Sequence, residues 1–285
     1  MKGIILAAGK GTRLYPTAQV VNKQLIPIYD KPLIYYPLTT LIMAGIKEIL
    51  IISSNRDIAS FQSLLGNGSK LGITISYEVQ HVQCGIADAF RIGDSFIGND
   101  PVCLILGDNI FWNNEIETVL AACSTMSQGG LVFGIHSDCP QQFGVVEFDS
   151  DGKVISIEEK PIAPKSNYII PGLYFFDSNV TKIANEIEPS ARGEYEITSV
   201  IEAYMLRDEL RVMPLASDTV WFDAGTPDRM LEASVAVRSL QNENNICIGC
   251  VEEAAYKMGY ITKQEAHAAG ENMKNSEYGK YLLQL

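Results

Sequence analysis

Lys2-Gly3-Ile4-Ile5-Leu6-Ala7-Ala8-Gly9-Lys10-Gly11-Thr12-Arg13 opens the chain, a hydrophobic strand running directly into a turn of small residues. Glycines at 9 and 11 let the backbone approach a ligand and aim successive N–H groups at phosphate oxygens. In isolation the same stretch reads equally well as a tight strand-to-helix turn that needs positive φ. Two familiar phosphate motifs do not fit. A dinucleotide fingerprint needs a third Gly or Ala where Leu14 stands, and a P-loop needs Gly-Lys-Ser/Thr after four residues. Arg13 and Lys23 favour a triphosphate, because a cradle followed by two separate cations suits three phosphates and a leaving pyrophosphate.

Working outward, short apolar runs alternate with helical patterns through the first half. Lys2 to Ala7, Glu48 to Ser53, Thr74 to Val79 and Val102 to Leu106 read as strands. Pro32 to Ala44, Ile58 to Leu65 and Gly85 to Phe96 read as the helices between them. This alternation predicts an α/β fold, Rossmann-like and doubly wound, on a mostly parallel mixed sheet. After Asp108 the rhythm changes to a helix near Ile116 to Met126 and then successive strands at Leu131 to Ile135, Gly144 to Phe148, Val154 to Glu158 and Tyr168 to Phe176. A small substrate-facing β region joined to the same sheet follows, continued by Arg211 to Pro214 and Thr219 to Phe222. From Pro227 onward the chain reads as a helical C-terminal appendage. The expected organisation is a domain over 1–226, with a nucleotide half to about 110 and a second half over 111–226, and a helical segment over 227–285.

The 285 residues carry a formal net charge of -12, which argues against nonspecific nucleic-acid binding and requires a local basic cluster for any anionic substrate. Six scattered cysteines do not read as a disulfide framework. Cys247 and Cys250 form a lone CxxC without the further ligands a zinc site needs, so packing thiols are the plainer reading. The apolar run at the N-terminus is shorter than a signal core and ends in Lys10 and Arg13. No stretch reaches transmembrane length. No membrane association and a cytoplasmic location are expected.

Two acids end apolar strands. Leu104-Ile105-Leu106-Gly107-Asp108-Asn109 places Asp108 at the carboxyl edge where open α/β sheets bind ligands, and Val220-Trp221-Phe222-Asp223 repeats the design. Asp108 and Asp223 could share one magnesium ion, which takes a few carboxylates completed by phosphates and water; each could equally cap a turn. Ile157-Glu158-Glu159-Lys160-Pro161 reads either as a solvated strand end or as an acid for sugar hydroxyls beside a lysine for a sugar phosphate. Arg192, in Ser190-Ala191-Arg192-Gly193-Glu194, adds a cation. Cys84 beside Gly85 has no histidine base positioned for it, so a thiol nucleophile is disfavoured.

The run Leu6 to Pro16, then Lys23-Gln24-Leu25-Ile26-Pro27-Ile28-Tyr29-Asp30-Lys31-Pro32, and finally Tyr278-Gly279-Lys280-Tyr281-Leu282-Leu283, resembles the signature of glucose-1-phosphate thymidylyltransferases, in the sugar nucleotidyltransferase family. The resemblance spans essentially the whole chain. It implies dTTP and a hexose 1-phosphate as substrates, Mg2+ as cofactor on Asp108 and Asp223, and a nucleotide site built from Leu6, Gly9, Gly11, Thr12, Arg13, Gln80, Gly85 and Asp108. It implies sugar-phosphate contacts from Asn109, Gly144, Glu159, Lys160 and Arg192, with Arg13, Lys23 and Lys160 as the catalytic cations. A homotetramer, dTDP-sugar and polysaccharide biosynthesis, and feedback at a second site near Phe111 to Asn114 and the C-terminal helices are also implied.

Several positions depart from the family pattern. Ala8 replaces a glycine, Gln80-His81-Val82-Gln83-Cys84-Gly85 lacks the two prolines usual there, and Phe143 stands where tyrosine is common. UTP in place of dTTP and another hexose 1-phosphate are therefore the alternatives; a noncatalytic sugar-nucleotide sensor on the same fold is the alternative of another class, since a fold by itself does not imply function.

Overall fold

Ile4 and Ile5 point to opposite sides of the first strand, and each is fully buried in a different core cluster. Such two-sided burial is what a continuous apolar run demands, and it places this strand inside a sheet covered on both faces. The computed structural model describes residues 1–285. Its strands are β1 (Lys2–Ala7), β2 (Pro27–Ile28), β3 (Lys31–Pro32), β4 (Glu48–Ser53), β5 (Thr74–Val79), β6 (Val102–Leu106), β7 (Ile110–Trp112), β8 (Gly130–His136), β9 (Gly144–Phe148), β10 (Val154–Glu159), β11 (Tyr168–Ile170), β12 (Leu173–Phe176), β13 (Leu210–Pro214) and β14 (Val220–Phe222).

Ten of these form one sheet, ordered β10-β9-β11-β8-β12-β6-β1-β4-β5 with β13 added beside β8. Strands β6, β1, β4 and β5 are parallel neighbours, as the alternating pattern predicts. β12 joins β6 antiparallel, and the second half alternates from there. Seven strands nevertheless run the same way, namely β1, β4, β5, β6, β8, β9 and β13. The sheet is mixed and α/β. One face packs on the helix Tyr35–Met43, the helix Ile116–Cys123 and the C-terminal helices; the other packs on Asp88–Ile92, Val180–Glu186 and Ile197–Leu206.

The chain order leaves β1 with β4 and β5 on one side and β6 on the other. That reversal opens a crevice beyond the carboxyl ends of β1 and β6. The glycine turn follows β1, and Asp108 follows β6.

Local details differ from the sequence expectation. The helix expected from Pro32 begins at Tyr35, because Lys31 and Pro32 pair with Ile28 and Pro27 in a small ribbon. The helix expected over Gly85 to Phe96 is two short ones, Asp88–Ile92 and Asp94–Ile97, broken at Gly93, where a Cβ would meet Ile4 at 2.9 Å. The strand expected over Tyr168 to Phe176 splits at Pro171-Gly172, since Pro171 has no N–H to give the ladder. β14 does not continue the main sheet; it pairs antiparallel with β7, setting Trp221 opposite Phe111. No helix is long and apolar enough to cross a membrane.

Candidate active site

The turn after β1 separates its two glycines by role. Gly11 takes φ +60°, and a Cβ there would come within 3.1 Å of Ala18. Local geometry alone explains that glycine. Gly9 has nothing within 4 Å of where a Cβ would stand, and it is exposed. The N–H groups of Gly9, Lys10, Gly11 and Thr12 have no acceptor within the chain. They are the free donors an anion needs. Leu6 contributes differently, because its carbonyl accepts from Gly107 N–H at 2.9 Å and so ties β1 to the Asp108 turn.

Lys23 is 6% exposed and lies between the two acids. Its Nζ donates to Asp108 Oδ2 at 2.5 Å and to the Asp223 carbonyl at 3.2 Å. Asp223 leaves Oδ1 buried with no partner, while Oδ2 and the Arg13 guanidinium both crowd the space beside Gly225. Ala224, next to it, is held at φ +38°, a conformation non-glycine residues rarely adopt and one that recurs at functional sites. No three His, Cys, Asp or Glu side chains cluster tightly enough to hold a metal by themselves. Magnesium needs only one or two carboxylates when phosphates and water complete its shell. Asp223, with its orphaned oxygen, and Asp108 line one cavity, which fits such a shared site.

A cavity of about 660 Å3 opens from this point between the two halves of the sheet. Thr12, Arg13, Asp108, Asn109 and Asp223 line it, together with Gly144, Glu159, Lys160 and Arg192. Glu159 Oε1 receives Lys160 Nζ at 3.4 Å and Arg192 Nη2 at 3.3 Å. Arg192 is also clamped by Glu196 through two 2.9 Å contacts. Burial works against its charge, but Glu196, Glu194 and Glu159 outweigh that and hold the guanidinium above its ordinary range. Lys160 is strained at φ +44°, with its N–H bonded to the Phe143 carbonyl at 3.0 Å. Gly144 has room for nothing larger, since a Cβ would approach Thr198 to 2.9 Å.

Asn109 is committed to the scaffold. Its Nδ2 donates to Asp108 Oδ1 at 2.8 Å, and its Oδ1 accepts from Gly172 N–H at 3.0 Å and Trp221 Nε1 at 2.7 Å. Gln80 and Gly9 line an adjoining cavity of about 470 Å3 on the far side of the turn. Gly85 lines neither. It takes φ +104°, and a Cβ there would strike the Tyr195 carbonyl at 2.4 Å, so both backbone shape and packing require glycine. Lys23 lies beneath the cavity floor rather than on its wall.

Sequence reasoning missed several contributors. Asn22 and Asp57, both buried, and half-buried Ser54 form a cluster behind the turn, in which Asn22 Nδ2 and Ser54 Oγ both donate to Asp57 Oδ2, at 2.9 and 2.7 Å. Gln24 holds a second buried, unpartnered oxygen, Oε1, on a side chain whose Cγ packs against Gly107. Trp221 lines the main cavity and packs edge-on to Phe143 with ring centroids 5.3 Å apart. Only Trp221 carried a signal, a bulky aromatic two residues before an acid. The others are common polar residues whose meaning lies in what they face.

Residues 2–239 match the family described as Nucleotidyl transferase. The chain belongs to this family. It is accordingly a nucleotidyltransferase, and the relatives of this family member are consistent over its full length. It is 49% identical to a glucose-1-phosphate thymidylyltransferase of Mycolicibacterium smegmatis, over 100% of this chain and 99% of that protein. It is 47% identical to one of Neisseria gonorrhoeae, with the same coverage. Among solved structures, a Bacillus anthracis protein assigned as a glucose-1-phosphate thymidylyltransferase, in complex with a sucrose, superposes with a TM-score of 0.77 at 39% identity, covering 84% of this chain and 95% of that one. A UDP-glucose pyrophosphorylase complexed with UDP-glucose shares the fold, with a TM-score of 0.74 at 24% identity, covering 84% of this chain and 98% of that one.

Proposed function

We propose that the protein transfers a thymidylyl group from dTTP to α-D-glucose 1-phosphate, releasing pyrophosphate and giving dTDP-glucose. One observation carries the reading. Two strand-end carboxylates, three cations and Thr12, at the end of the turn that carries the free backbone donors, line one cavity in a chain that is otherwise strongly acidic. Full-length likeness to thymidylyltransferases supports the choice of base and sugar.

The turn from Gly9 to Thr12 receives the triphosphate on its N–H groups. Arg13 and Lys23 flank it and stabilise charge gathering on the departing pyrophosphate. Glu159 accepts from sugar hydroxyls, and Lys160 with Arg192 hold the sugar phosphate, their geometry preset by Glu159 and Glu196. The attacking phosphate oxygen is already anionic at neutral pH, with a second phosphate pKa of ~6, so no side chain need remove a proton. Attack in line on the α-phosphorus expels pyrophosphate without a covalent enzyme intermediate. Asp108 and Asp223 would hold magnesium, which supplies charge neutralisation at the phosphates. The work of the protein is to overcome repulsion between two anions. Assembly as a homotetramer in the cytoplasm, serving dTDP-sugar pathways, belongs to the same reading.

Pyrophosphate release, measured with dTTP or UTP against a panel of sugar phosphates, tests it. Turnover highest for dTTP with glucose 1-phosphate is the expected result. Higher turnover with UTP would move the assignment to a uridylyltransferase, and none with any dTTP pair would sink it.

A further inference from the structure

Cys247-Ile248-Gly249-Cys250 has no part in the chemistry above, yet its geometry is specific. The Cys250 N–H donates to the Cys247 carbonyl at 3.3 Å, and Gly249 takes φ +76°, closing a β-turn. Such a turn brings its first and fourth Cα atoms within ~7 Å, close to the ~4.4–6.8 Å that a disulfide spans. A Cβ at Gly249 would meet the Tyr36 ring at 2.7 Å, so packing holds the turn in this shape. Both thiols are free, and both pack against Tyr278 and Leu282. Cys247 is 7% and Cys250 2% exposed, and both line a common cavity of about 200 Å3 between the helices Tyr35–Met43 and Val251–Lys257, the route by which a reagent would have to reach them.

The two sulfurs are not equivalent. Lys31, 3% exposed, donates from Nζ to the Ile248 carbonyl at 2.9 Å, setting a cation against the turn. The neighbouring Cys250 thiol and Lys31 draw Cys247 below the ordinary thiol range, against the opposing effect of burial. Burial pushes Cys250 up.

We propose that Cys247 and Cys250 are a redox-active dithiol that closes to an intrachain disulfide by exchange with a low-molecular-weight disulfide. Cys247, as thiolate, attacks one sulfur of the reagent, forming a mixed disulfide and expelling one thiolate. Cys250 loses its proton to solvent and attacks the Cys247 sulfur, expelling the second. Two protein thiols are oxidised, and one small disulfide is reduced to two thiols. The exchange is independent of the reading of the active site.

The test uses the full chain, incubated folded with excess oxidised glutathione, quenched in acid, alkylated and mapped by peptide mass spectrometry. A Cys247–Cys250 crosslink that dithiothreitol reverses is expected, with free thiols falling by two per chain. In Cys250→Ser, glutathione should accumulate on Cys247; in Cys247→Ser, Cys250 should stay a free thiol. The wild-type map decides even if a serine variant does not fold. Recovery of both cysteines as free thiols overturns the proposal, and adducts on half-buried Cys84 or Cys139 in the same sample would show that the oxidant was competent.

Discussion

Asp223 is the residue where scaffold and chemistry are easiest to tell apart. A buried carboxylate oxygen without a partner is costly, of the order of 1–3 kcal/mol or more, and such cost is tolerated where a ligand relieves it. Asp223→Asn and Asp108→Asn should each lower kcat by about 10²-fold or more; the thermal unfolding midpoint should barely move in Asp223→Asn but fall in Asp108→Asn, which leaves the buried Lys23 without its counter-ion. Pyrophosphate release with added Mg2+ measures this, and turnover near wild type in both variants would remove the aspartates from the mechanism. The two glycines of the turn offer a second contrast. Gly11→Ala meets Ala18 at 3.1 Å in a left-handed conformation and should cost about 1–2 kcal/mol of stability. Gly9→Ala meets nothing, so stability should hold while the KM for dTTP rises about tenfold, or ~1.4 kcal/mol. An unchanged KM would mean that phosphates do not approach Gly9.

At the scale of elements, the segment that presents Lys23 is fixed from behind. Asn22 bridges the Ala7 carbonyl, at 3.2 Å, and Asp57, at 2.9 Å, so β1 and the loop after β4 are joined through one amide. Burial alone would raise the Asp57 carboxyl. Bonds from Arg56, Asn22 and Ser54 outweigh it and hold the group below the usual carboxylate range. A depressed folded pKa stabilises the fold above the unfolded value, near ~4, and that contribution is lost as pH falls through the lower folded value. Asp57→Asn should therefore cost about 1 kcal/mol, ~2–4 °C in midpoint, at pH 7. The gap should close in strongly acidic buffer. Equal gaps at both ends of a calorimetric pH series would contradict this account. None of this was legible in sequence, where Asn22, Ser54 and Asp57 are ordinary loop residues; the strand and turn of Lys2 to Arg13 were, because two-sided burial and a glycine turn leave a pattern along the chain.

At the scale of the whole molecule, the C-terminal helices share a core with the N-terminal part of the chain. Met230, Ala233, Val237 and Ile248 share a core cluster with Leu14, Ala18, Ile28, Leu33 and Tyr36, around the segment that carries Lys23. A chain ended after Thr226 would leave that cluster open to water. Such a truncation should lose cooperative unfolding and bind an apolar dye, as seen by calorimetry and fluorescence. A sharp wild-type-like transition would show that the helices are dispensable.

By itself the sequence determined the alternation of strands and helices, the glycine turn and the two strand-end acids, since each is written in contiguous residues whose period or chemistry is local. It left the glycine turn ambiguous between a backbone device and a cradle. Only the tertiary structure showed that local backbone geometry requires Gly11 and does not require Gly9. It alone set Asp223 opposite Asp108 across Lys23, moved β14 from the main sheet to β7, and bound Gly85 to Tyr195. Those outcomes depend on contacts between residues far apart in the chain, and such contacts are chosen by packing of whole elements, which no local pattern records.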